Sequence, residues 1–118
     1  MAEYNEHDYD LETLLLLDGQ TFFLESGGYW VKFEAHRVTP TKYIPHGVSY
    51  SLTLHAGNNM RIVGYDNGHK YNRPKRGKYK ATVVTWDHIH QKNTVRHYEF
   101  CSAAQLIEDF WKTVDRFV

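Results

Sequence analysis

Two stretches of strict alternation constrain the fold most. In residues 29–37, Tyr29, Val31, Phe33 and Ala35 fall on one side, with Trp30, Lys32, Glu34 and His36 on the other. In residues 48–56, Val48, Tyr50, Leu52 and Leu54 alternate with Ser49, Ser51, Thr53 and His55. A period of two marks a half-buried antiparallel strand, apolar toward a core and polar toward water. Between them lie Thr39-Pro40 and Ile44-Pro45-His46-Gly47, which turn the chain without a helix. Gly57-Asn58-Asn59 supplies the next turn and Arg61 to Asp66 the next strand, so successive strands form a meander.

The flanks complete the layer. Residues 1–10 are polar and acidic without apolar periodicity, and read as a flexible arm. Leu11 to Leu17 fits a short helix or an edge strand closed by Asp18-Gly19. The Phe22-Phe23 pair in the segment from Gln20 to Glu25 favours the strand. Residues 67–80 contain Gly68, Pro74 and Gly77 and form a basic loop, followed by strands from Ala81 to Asp87 and from Val95 to Phe100. Ser102 and Gln105 make a capping box ahead of an apolar stripe of Leu106, Phe110, Val114 and Phe117 at helical spacing. The expected fold is a single α+β domain over residues 1–118, a twisted antiparallel sheet packed by a C-terminal helix.

Charge bears on function. The 14 bases balance the 14 acids, and that total argues against a polyanionic partner. Position reverses the inference, because residues 1–34 carry a net −7, residues 35–98 a net +9 and residues 99–118 a net −2. The basic middle also holds seven of the eight histidines. Cys101 is the only cysteine, which excludes an internal disulfide and a thiolate-rich zinc site. The longest apolar run, Leu14 to Leu17, is too short to span a bilayer, and the acidic start lacks the pattern of a signal peptide. A cytoplasmic protein with no membrane partner is expected.

Four features carry chemistry. Asp87-His88-Ile89-His90, with His97 from the next strand, puts two imidazoles on one strand face about 6–7 Å apart. That spacing suits one phosphate or one metal. On an RNA phosphodiester, one histidine would take the 2′-hydroxyl proton and another would protonate the leaving 5′ oxygen, since imidazole titrates near working pH. A metal at His88, His90 and His97, with Asp87, Asp66 or His69 as a further ligand, is the lesser alternative, and no recognised metal spacing is present. The second feature is Gly64-Tyr65-Asp66-Asn67-Gly68-His69. Asn67 and Gly68 read as turn residues able to take positive φ, while Tyr65, Asp66 and His69 are proton-handling groups at a strand end. The third is Lys70 to Lys80, six bases with Tyr71 and Tyr79, where Arg73, Lys75, Arg76, Lys78 and Lys80, joined by Arg96, match the needs of single-stranded nucleic acid. The fourth is the polar sheet face of Lys32, Glu34, His36, His55, His97 and Glu99.

The ordered set Tyr50-Ser-Leu-Thr-Leu-His55, Arg61-Ile-Val-Gly-Tyr-Asp-Asn-Gly-His69, Asp87-His88-Ile-His90 and His97-Tyr-Glu-Phe100 before an apolar helix resembles the TumE-type toxins of bacterial toxin–antitoxin modules. The likeness runs from about Leu14 to Val118. It implies a small intracellular toxin neutralised by a helix-turn-helix antitoxin, and it names a biological role rather than a reaction. The family's characteristic residues fall on Tyr65, Asp66, Asn67, His69, His88, His90 and Phe100. Together these readings make the chain a toxin acting on RNA, with His88, His90, His97, Asp66, Tyr65 and His69 as catalytic candidates and no obligatory cofactor. A non-catalytic binding module for RNA or protein is the other class.

Overall fold

A computed structural model describes residues 9–25, 27–69 and 85–118. In chain order these residues form α1 (Tyr9–Leu16), β1 (Thr21–Phe23), β2 (Trp30–Arg37), β3 (Val48–His55), β4 (Arg61–Asp66), β5 (His88–Gln91), β6 (Thr94–His97) and α2 (Ala103–Asp115). The strands lie in sequence order in one sheet, and each pairs antiparallel with the next, as the meander reading requires. The sheet is open, so β1 and β6 are its edges among the described residues. No described helix is long and apolar enough to cross a membrane.

Alternation does what it promised in β2 and β3. Val31, Phe33, Ala35, Val48, Tyr50, Leu52 and Leu54 are buried, and the register aligns them with Val63, Tyr65 and Ile89 on the same face. Against that face lies α2, whose Ala103, Leu106, Phe110 and Val114 are fully buried or nearly so. The Phe110 ring sits edge-on to Phe33 at 5.5 Å and to Tyr65 at 5.9 Å between centroids. This helix starts where Ser102 predicts, with Ser102 Oγ accepting from the Gln105 amide at 3.1 Å. The reciprocal half of the capping box is not made, because Gln105 Nε2 donates instead to Asp109 Oδ1 at 2.8 Å.

Several expectations are corrected. The segment from Leu11 to Leu17 is helical, and α1 reaches back to Tyr9, so the arm can extend only over residues 1–8, which lie outside the described residues. Leu14 is fully buried with Leu11 and Leu15 packed beside it, the three- and four-residue spacing of a helix face. Asp18-Gly19 is therefore a helix stop rather than a hairpin turn: Gly19 takes φ +83° and its amide donates to Phe33 O at 2.8 Å. The strand expected from Ala81 to Asp87 is not formed over its described residues, 85–87, and pairing begins at His88. The next strand ends at His97, three residues before Phe100. Neither Asn67 nor Gly68 adopts positive φ.

With both helices on the apolar side, the other face presents Lys32, Glu34 and His36, then Ser49, Ser51 and Thr53, then Asp66, then His88 and His90, then His97. The strands are neighbours, so the polar surface anticipated from sequence is continuous across five of them.

Candidate functional site

The register builds the site. Asp66 lies opposite His88, and His88 opposite His97, in one cross-strand row; Gly64 lies opposite His90 in the next. Residues alternate faces along a strand, so the His-x-His pair emerges on the polar side as its spacing predicts. The two rings come closer than that spacing alone requires. Their centroids are 4.6 Å apart at 85°, and Nε2 of His88 lies 3.0 Å from Nε2 of His90.

Hydrogen bonding orders the protons. His88 is fully buried, and its Nδ1 lies 2.7 Å from the Trp86 carbonyl, which only accepts, so Nδ1 carries the hydrogen. Its Nε2 then faces Nε2 of His90, and the two nitrogens share one hydrogen. His90 is half-buried, and burial pushes its pKa below the ordinary 6.5, helped by His88, Arg61 and His69 and opposed by Asp66. Arg61 reaches this place over Gly64: a Cβ there would stand 3.6 Å from Arg61 Cδ and 3.3 Å from Thr53 Cγ2.

The third histidine comes from the turn after β4. Asp66 Oδ1 accepts from the Gly68 amide at 2.6 Å, and this local bond turns the chain so that exposed His69 returns to β5. The His69 and His88 rings are 5.6 Å apart, and one ring nitrogen from each of His69, His88 and His90 lies within 4.8 Å of the others. Beside the cluster opens a cleft of about 380 Å3, lined in part by Asp18, Glu34, His36, Ser51, Asp66 and His69.

Other residues singled out in the sequence lie elsewhere. His97 shares the polar face as the cross-strand neighbour of His88, but the third converging nitrogen belongs to His69. Tyr65 points into the core, its hydroxyl 2.7 Å from Thr113 Oγ1, so it stands on the wrong side of the sheet to handle protons at the cluster. Arg96 pairs with Ile89, which puts its side chain on the face opposite the histidines. Arg73, Lys75, Arg76, Lys78 and Lys80 lie outside the described residues. His55 stacks on Trp30 with centroids 4.0 Å apart, and Lys32 pairs with Glu34 at 3.3 Å.

Asp87 is also drawn away from the histidine cluster. It is fully buried on the helix side, where it accepts from the Tyr50 hydroxyl at 2.7 Å and lies 3.1 Å from His46 Nε2. Burial alone would raise its pKa; the His46 and Tyr50 hydrogen bonds, the His46 charge and Thr85 overcome this and lower it. His46 stacks on Phe100 with centroids 3.9 Å apart. In the sequence His46 sits in a breaker-rich loop, and nothing local announces a partner 41 residues away. Asn67 is fully buried and extends the β3 ladder past the end of β4: its Oδ1 accepts from Tyr50 N, and its Nδ2 donates to Val48 O, each at 2.8 Å.

The residues on which the sequence resemblance rests divide by structural role. Asn67 and Phe100 hold the frame, Tyr65 fills the core, and Asp66, His69, His88 and His90 make the polar cluster. No curated protein and no solved structure matches the chain. A protein-family model described as Toxin TumE matches residues 11–118, nearly the whole length. The chain therefore belongs to the TumE toxin family and is the toxin component of a toxin–antitoxin system, with an antitoxin as its partner.

Proposed function

We propose that this toxin acts on RNA in the cytoplasm, cleaving a phosphodiester by proton transfer through His90 and His69, with His88 as the positioning residue behind His90. The observation that carries the reading is the 3.0 Å contact between the His88 and His90 Nε2 atoms, with His69 at its solvent side. Two rings in direct contact leave no room for a phosphate between them. The accessible acid/base pair is then His90 with His69 rather than His88 with His90.

His90, biased toward its neutral form, takes the 2′-hydroxyl proton. The 2′ oxygen bonds to phosphorus, the bond from phosphorus to the 5′ oxygen breaks, and protonated His69 supplies the proton that the leaving oxygen needs. A 2′,3′-cyclic phosphate and a 5′-hydroxyl result. Arg61 is the described cation acting on His90, and the bases from Lys70 to Lys80 supply phosphate contacts along the strand. The antitoxin is a helix-turn-helix protein, as the likeness to TumE-type toxins implies.

The test is incubation of the purified chain with single-stranded RNA in a chelating buffer. The wild type yields cyclic phosphate ends, and His69→Ala and His90→Ala each lower the rate by about 10²- to 10⁴-fold with low-salt RNA binding retained. The acidic, ascending limb of the pH–rate profile, which reports deprotonation of His90, has its midpoint below the ordinary histidine value of 6.5. RNA that is bound but never cut makes the protein a binding module and overturns the reading.

A further inference from the structure

The geometry points to a binding site for a divalent transition-metal ion of the zinc class, formed by one ring nitrogen each from His69, His88 and His90. Three observations converge on it. The nitrogens lie within 4.8 Å of one another, and the His88 and His90 pair at 3.0 Å. Two imidazole nitrogens each about 2.0–2.1 Å from a tetrahedral ion stand a little over 3 Å apart, so this pair needs only slight opening.

The second observation is the support behind the ring. His88 Nδ1–H is held by the Trp86 carbonyl at 2.7 Å, the outer-sphere bond that fixes tautomer and orientation in histidine metal ligands. Its Nε2 lone pair is thereby aimed into the cluster. In the ion-free state the two Nε2 atoms share one hydrogen at 3.0 Å. An ion replaces this shared proton once the His90 hydrogen moves to Nδ1, and both nitrogens then donate to the same centre.

The third is composition and access. Three imidazoles without thiolate select zinc, copper, nickel or iron over magnesium and calcium. His88 is buried and held from behind, His90 is half-buried, and His69 is exposed on the turn, so the ion enters from the cleft side and keeps a position for water. Asp66, facing His88 across the strands, adds negative charge beside the site.

The ion site stands on this geometry alone. One consequence rests on the cleavage reading: with the ion bound, His69 and His90 are ligands and have no proton to exchange, so the metal silences the toxin.

The test uses the full chain without an affinity tag, stripped by chelator and titrated with Zn2+ against a chromophoric competitor, with Co2+ absorbance as a coordination readout. Expected is one ion per chain, an intense Co2+ visible band, and affinity at least 100-fold weaker in His90→Ala. In His69→Ala, which alters only an exposed turn residue, affinity falls at least 10-fold, and His36→Ala leaves it unchanged. Mg2+ does not compete. Equal Zn2+ affinity in wild type, His69→Ala and His90→Ala overturns the site, as does a colourless Co2+ complex. An RNA arm separates the two claims. If Zn2+ binds as described while stripped protein cuts no RNA, the ion site holds and the cleavage reading falls.

Discussion

Asp87 is fully buried, and His46, the Tyr50 hydroxyl and Thr85 hold its charge. The folded state lowers its pKa, so its contribution is fully present above the unfolded value near 3.8 and is lost as pH falls through the lower folded value. Asp87→Asn removes charge-assisted acceptance and costs about 1.5–3 kcal/mol at neutral pH. Urea unfolding at pH 7 and at pH 2–3 checks this: the gap between variant and wild type narrows in acid, and a gap unchanged by pH contradicts it. At this scale the sequence was half legible. His88 and His90 announced themselves because a spacing of two fixes their face in any strand. Asp87 with His46 did not, because their contact is purely tertiary. Asn67 reads as a turn residue in the sequence, whereas its buried amide satisfies the backbone of β3.

Elements were legible where pattern and end signal agreed. The alternation of β2 and β3 leaves a single register compatible with one buried face. The start of α2 was likewise readable from Ser102, whose side chain accepts one of the orphan amides of the first turn. Ser102→Ala costs about 1 kcal/mol, measured as a shift in the urea midpoint, whereas Ser102→Asp restores most of it. An unchanged midpoint in Ser102→Ala contradicts a capping role. The segment from Leu11 to Leu17 failed because four successive leucines mask any period. Helix wins through packing, with Leu14 inserted in the core while Leu16 stays 79% exposed.

Across the whole molecule, one sheet divides labour between its faces. The helices cover the apolar side and supply the stability; the polar side gathers histidines from β4's turn and β5 beside an acidic cleft. The net charge of zero concealed this organisation, and its positional split pointed to the middle of the chain, where the cluster lies. What charge could not convey is the sidedness. Tyr65 and Arg96, both plausible from sequence, are set on the helix side by their registers with Leu52 and Ile89.

The central claim is that toxicity runs through this histidine cluster, and induced expression in a bacterial host tests it most directly. Wild-type chain arrests growth. The His69→Ala/His90→Ala double variant, present at equal level and unfolding at the wild-type urea midpoint, permits growth. Arrest at the wild-type rate by that folded double variant contradicts the account.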